Sequence, residues 1–201
     1  MPRTASVGMR FSDFMAHAVA LFCRLTPAEV FSLGYYSTGG FRGINWPLRD
    51  RERRDKRQPH KLSVLVFTLA GAIKKLRACA GNAANAQSRV ELFCGMSNRE
   101  IFDTFMKKGG TELALMSTTA ELWVALKYSQ GTSGTISTLL WLRTENFMAR
   151  GVDLEWLSAL PHEKEFVYGP LAYLKPLKEK PIVMKMGAST HQIVPLKLNT
   201  S

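Results

Sequence analysis

Cysteine, histidine, acidic residues and long apolar runs are all scarce in this chain. Its 201 residues include 3 cysteines and 4 histidines. Cys23, Cys79 and Cys94 are odd in number with no close pair, and His17, His60, His162 and His191 stand singly, so neither a disulfide framework nor a zinc site is suggested. Isolated reduced thiols favour an intracellular setting. No run reaches the roughly 18 apolar residues that a bilayer requires, since Phe14 to Leu25 is interrupted by His17 and Arg24. Acids number 16 against 27 bases, and the resulting +11 favours an anionic partner such as a nucleotide, an acidic protein face, nucleic acid or anionic lipid. With 46% hydrophobic and 21% charged residues the composition is globular, which excludes a disordered, collagen-like or coiled-coil chain.

Phe11, Phe14, Met15, Ala18, Leu21, Phe22 and Leu25 recur at helical spacing, so residues 1–25 read as an N-terminal helix. Arg3, Arg10 and the lack of acids make a targeting segment the alternative. Thr26-Pro27-Ala28-Glu29 is a capping box opening a second helix. Ile44 to Leu48 reads as extended, and the mixed-sign block Arg49 to Arg57 as a solvated loop or helix face. Leu62, Leu65, Val66, Leu69, Ala72, Ile73 and Leu76 form a long helical stripe. Gly81 to Gln87 reads as a loop, after which Val90, Leu92 and Cys94 alternate as on a half-buried strand. Ser97 to Glu100 reads as the cap of a short helix stopped at Gly109-Gly110, and Thr118 to Glu121 as the cap of a helix reaching Tyr128. A turn at Gly131 to Gly134, a strand over Ile136 to Leu142, strand-like residues Val167 to Leu174 and a weakly patterned basic tail over 177–201 complete the reading.

Three short features bear on chemistry. In Glu163-Lys164-Glu165, an extended chain would put both carboxylates on one face, about 6 to 7 Å apart at their Cα atoms, where one acid stabilises positive charge and the other positions a nucleophile. A solvated turn gives the same three residues. Met116-Ser117-Thr118-Thr119 offers hydroxyls and helix-terminal N–H groups to a ribose or a carboxylate, or serves simply as a cap. Leu92-Phe93-Cys94-Gly95 ends a strand on a glycine that admits close approach of a ligand, or only a tight turn.

In this order the strand-end motif, Ser-Thr-Thr and Glu-x-Glu resemble the arginine-type mono-ADP-ribosyltransferases. The resemblance extends over about Thr26 to Pro176, through Gly34-Tyr35-Tyr36, Arg42 to Arg49, Gly109 to Thr119 and Leu157 to Phe166. It implies an α+β fold for residues 26–176, with N-terminal helices followed by two small packed β-sheets framing an NAD cleft. It further implies an NAD(P)+–protein-arginine ADP-ribosyltransferase that uses NAD as co-substrate and no metal, and whose partner is a protein bearing an accessible arginine. By position, Glu165 would be the catalytic glutamate, Glu163 would orient the acceptor guanidinium, Ser117 would brace Glu165 and the ribose, and Gly95, Thr118 and Thr119 would line the cofactor site.

One residue departs from the pattern. The family has an arginine before the motif glycine, where this chain has Cys94. Loss of a charge-assisted phosphate contact costs on the order of 1.5 to 3 kcal/mol, so weak NAD binding is expected unless Arg89, Arg99 or the loop at Gly131 to Gly134 compensates. Two rival readings follow: an inactive copy of the fold acting as a binding module, and a basic nucleic-acid-binding domain built on residues 49–61. Asp50, Glu52 and Asp55 dilute the field that the second would need, which makes nucleic acid the weaker choice.

Overall fold

The computed structural model describes residues 8–81, 86–132, 135–186 and 189–199. Six helices lead: α1 (Phe11–Met15), α2 (Ala18–Phe22), α3 (Pro27–Tyr35), α4 (Phe41–Arg49), α5 (Arg51–Asp55) and α6 (Ser63–Ala80). Strands β1 (Val90–Met96), β2 (Gly110–Glu112) and β3 (Met116–Thr119) follow, with α7 (Asp103–Lys108) after β1 and α8 (Leu122–Ser129) after β3. The remaining strands are β4 (Ile136–Thr144), β5 (Val152–Asp153), β6 (Glu165–Tyr168), β7 (Ala172–Pro176), β8 (Ile182–Met186) and β9 (Ser189–Asn199).

The helical half forms largely as its residues dictate. Thr26 Oγ1 accepts from the Glu29 amide at 3.3 Å while Glu29 returns a bond to the Thr26 amide at 2.8 Å, closing the capping box of α3. Glu29 also binds Lys75 Nζ at 2.8 Å, which ties α3 to α6. Leu69, Ala72, Ile73 and Leu76 of α6 are buried against Val30 and Leu33 of α3, and each fully buried leucine contributes about 1.5–3 kcal/mol. The first segment is two short helices, because the chain breaks at His17, whose Nδ1 caps α2 through the Val19 amide at 3.2 Å. Residues 44–48, expected to be extended, lie in α4 despite Pro47; Ile44 and Asn45 are buried there, and that packing outweighs the local cost of the proline. The charge block becomes the exposed helix α5, laced by Arg51–Asp55 and Glu52–Lys56 pairs.

The nine strands run in the order β2-β7-β9-β4-β1-β3-β6-β5, with β8 beside β9. β1 meets β3 at one paired position, Phe93 opposite Thr119, whereas it pairs with β4 along its whole length. The path is therefore continuous, yet it divides at that join into a large sheet ending at β1 and a small one of β3, β6 and β5. The fold is α+β as expected.

The chain end differs most from its sequence reading. Residues 177–201 were expected to form a basic tail, but β9 lies inside the sheet, parallel to β4 on one side and antiparallel to β7 and β8 on the other. Val194, Leu196 and Leu198 are buried in the second hydrophobic cluster with Leu92, Leu140 and Leu142. The short helix expected from Ser97 starts only at Asp103, and Gly109, at φ 69, ends it in the left-handed region that glycine adopts without strain. Most of the loop expected at 81–87, and Ser133 and Gly134 of the turn expected at 131–134, lie outside the described residues.

Candidate active site

Antiparallel pairing of β3 with β6 sets Thr119 opposite Glu165 and Ser117 opposite Val167. Of the three hydroxyl residues in β3 only Ser117 is exposed. Thr118 is buried and donates to the Phe166 carbonyl at 2.9 Å. Thr119 is also buried, donates to the Glu163 carbonyl at 2.5 Å and accepts from the Glu121 amide at 2.9 Å. Of the two threonines expected to line a cofactor site, Thr118 thus ties β3 to β6, and Thr119 holds the Glu163 turn and the entry to α8. The helix-capping reading of this segment does not hold: Glu121 is the N-cap of α8 with no side-chain cap, and all three hydroxyl residues lie within β3.

Glu163 and Glu165 come together, but not on an extended chain. Pro161–Glu163 form one turn of 3-10 helix, Lys164 turns the backbone at φ 44 and ψ 58, and Glu165 begins β6. Lys164 pairs with Glu121 across the turn. Glu165 is half-buried, and its carboxyl is pushed up to about 7 by burial first and by the charge of Glu163, against the opposing hydrogen bond from Ser117. That value lies where a carboxyl changes charge near neutrality, a common property of groups that do chemistry.

Ser117 is braced from behind. Its Oγ lies 3.0 Å from the hydroxyl of Tyr36, which is fully buried and 3.4 Å from Asn45 Nδ2. Asn45 also donates to the Leu115 carbonyl at 3.1 Å, joining α4 to the base of β3. Burial pushes the Tyr36 phenol up to about 12, so it remains a donor. Sequence reasoning passed over Tyr36 and Asn45, although both lie in segments that carry the family resemblance.

Gly95 is a point of close approach to α8. A Cβ there would meet the Ala125 carbonyl oxygen at 2.1 Å and the Ser129 amide nitrogen at 2.8 Å. The close approach that glycine permits is that of α8, not of a ligand on that side.

Cys94 has a cation near it. Burial pushes its thiol up to about 11, with the Glu112 charge adding to the rise and Arg49 opposing it. Arg49, the last residue of α4, has its Nε 3.0 Å from Glu112 Oε1 and a side chain that is 44% exposed, leaving the guanidinium open for an anion. The same arginine acts electrostatically on Tyr36. Arg89 lies instead at the far end of β1, near the Glu145–Lys197 pair, and Arg99 is exposed with its carbonyl taken by Thr138 Oγ1 at 2.6 Å. Of these three arginines, Arg49 is the one whose charge acts on both Cys94 and Tyr36.

Among the described residues no cluster of three His, Cys, Asp or Glu side chains could hold a metal ion. A cavity of about 780 Å³, lined by His17, Phe22, Leu76, Val152 and Trp156 among others, reaches Pro161 and Phe166 but not Ser117, Glu163 or Glu165.

No protein-family model matches the chain, and no curated protein matches its sequence. Its structure does match known ones. Exoenzyme S of Pseudomonas aeruginosa, solved with human 14-3-3 protein beta and carba-NAD, is similar at a TM-score of 0.61 and 18% identity, over 94% of this chain and 82% of that one. The ADP-ribosyltransferase HopU1 of Pseudomonas syringae is similar at 0.59 and 19%, over 92% and 85%. The ADP-ribosyltransferase toxin Plx2a of Paenibacillus larvae is similar at 0.62 and 14%, over 94% and 91%. From its helices through its divided sheet, the chain has the fold of the mono-ADP-ribosyltransferases.

Proposed function

We propose that the protein is an NAD-dependent mono-ADP-ribosyltransferase whose acceptor is an arginine guanidinium on a protein. The observation that carries this reading is the pairing of β3 with β6, which brings Ser117 and Glu165 onto neighbouring strands, where Ser117 favours the Glu165 carboxylate and the charge of nearby Glu163 raises its carboxyl. Glu165 holds the nicotinamide ribose and, as a carboxylate, stabilises the positive charge that grows at the anomeric carbon while the bond to nicotinamide breaks. Ser117 keeps that carboxylate in place, and Arg49 takes the phosphates in the role left open by Cys94. Glu163 accepts the planar guanidinium fork, for which a carboxylate is the fitting partner, and receives the proton that nitrogen loses as the new C–N bond forms. One structural neighbour, the ADP-ribosyltransferase Vis, has been solved with agmatine, a small guanidinium compound.

The test is nicotinamide release from NAD, with and without agmatine, for the natural protein, Glu165→Gln and Glu163→Gln. The expected result is release that fails in Glu165→Gln and ADP-ribosyl-agmatine that fails in both variants. Release without any agmatine product would overturn the arginine acceptor and leave the transferase. Absence of release from folded protein at saturating NAD would favour a binding module, the reading that Cys94 suggests.

A further inference from the structure

The carboxylate of Glu163 is held from outside its own turn. Tyr128, in the last turn of α8 and half exposed, has its hydroxyl 2.9 Å from Glu163 Oε1 and 3.2 Å from Oε2. A phenol carries one proton, so it donates to one oxygen at a time and straddles the carboxylate edge. Burial first, then the bond to Glu163 and its charge, pushes the Tyr128 phenol up to about 12, and it stays a donor at neutral pH.

The main chain of Glu163 is secured separately. Thr119 Oγ1 binds its carbonyl, Lys164 pairs with Glu121, and the Trp123 ring of α8 stacks on His162 at 6.4 Å between centroids. These contacts hold the turn but leave the glutamate side chain free to rotate. What Tyr128 adds is the direction of the carboxylate.

We propose that Tyr128 is a positioning residue for the acceptor: its hydroxyl fixes the Glu163 carboxylate in the orientation that receives a guanidinium fork. The inference rests on Glu163 as the acceptor-binding group. A carboxylate has about four lone-pair sites, so one phenol leaves room for the two parallel N–H···O bonds of an arginine-like acceptor. Preorganisation of this kind acts on acceptor affinity more than on NAD, because the phenol reaches Glu163 and not Ser117 or Glu165 by hydrogen bond.

Tyr128→Phe removes the hydroxyl and keeps the ring. Agmatine affinity is measured by calorimetry on the folded protein, independent of turnover, and the agmatine and NAD KM values by steady-state transfer. Agmatine Kd and KM should each rise about tenfold, as for loss of one charge-assisted hydrogen bond, and the NAD KM by less than about threefold. On a Glu163→Gln background the substitution should add nothing, since the two residues act as a unit. Unchanged agmatine Kd and KM, or an equal loss on both backgrounds, would overturn the positioning role while Glu163 retains its part. A natural protein that neither binds agmatine nor modifies it would overturn the acceptor reading and this inference together.

Discussion

The Tyr36 hydroxyl stands 3.0 Å from Ser117 Oγ, so the buried end of a helix braces the exposed face of a strand. Either hydroxyl can supply the proton of that bond, Asn45 Nδ2 donates to Tyr36 at 3.4 Å, and Ser117 in turn favours the carboxylate of Glu165. Four side chains from α4, its approach from α3, β3 and β6 form a chain that ends on the glutamate expected to do the chemistry. Such a chain holds its members only while each is satisfied.

The pH dependence of Glu165 follows with its sign. Burial and the Glu163 charge raise its carboxyl from 4.5 to about 7, while the Ser117 bond opposes the rise. Nicotinamide release needs the carboxylate, so kcat/KM for NAD should climb with pH through a midpoint of about 7. Ser117→Ala should move the midpoint up, and Glu163→Gln, which removes a like charge, should move it down. Stability runs the other way. The folded state holds the proton more tightly than the unfolded chain, so stability is unaffected below 4.5 and falls as pH rises through about 7. Glu165→Gln should therefore exceed the natural protein in urea midpoint at about pH 8, and the gap should close at about pH 4.5. Midpoint shifts of the opposite sign in the two neighbouring variants would show that these groups do not set the ionisation.

Arg49 should carry the affinity for the dinucleotide. Arg49→Ala is expected to raise the NAD KM by about ten- to a hundredfold, the equivalent of one charge-assisted contact to phosphate. Glu112→Gln should act in the same direction but less, because it removes the 3.0 Å partner that aims the guanidinium and not the cation itself. Cys94→Arg, placed in the Arg49→Ala protein, should recover part of the loss, since both positions act on the same pocket of charge. An unaltered NAD KM in Arg49→Ala would send the search to another cation.

Local signals served the sequence reading well and non-local ones did not. The stripe of α6, the Thr26–Glu29 box and the alternation of β1 each depend on neighbours within a few residues, and all three form. β9 escaped notice because Pro195 and the polar residues 189–192 obscure the alternation, while the partner that stabilises it, β4, lies some fifty residues earlier. At the site, Ser117, Glu163 and Glu165 were legible as a motif. Arg49 was not, because it heads a run of arginines, and only the fold separates the one beside Cys94 from those in solvent. Gly95, Thr118 and Thr119 were legible as special positions, and only the fold shows what each of them meets: α8 at Gly95, the Phe166 carbonyl at Thr118 and the Glu163 turn at Thr119.

Gly95 offers a direct test of that packing. The atoms that a Cβ would meet, the Ala125 oxygen at 2.1 Å and the Ser129 nitrogen at 2.8 Å, are backbone and have no rotamer to escape into, so α8 must retreat as a body. Gly95→Ala should lower stability by about 1–3 kcal/mol in urea with an unchanged m value. Gly39, where a Cβ meets nothing within 4 Å, is the control, and Gly39→Ala should stay within about 0.5 kcal/mol. Because α8 carries Tyr128 to Glu163, folded Gly95→Ala protein should also lose agmatine affinity more than NAD affinity. A stability loss without that bias would mean that the helix can shift while its tyrosine follows the glutamate; the bias without a stability loss would mean that the strand, and not the helix, gives way.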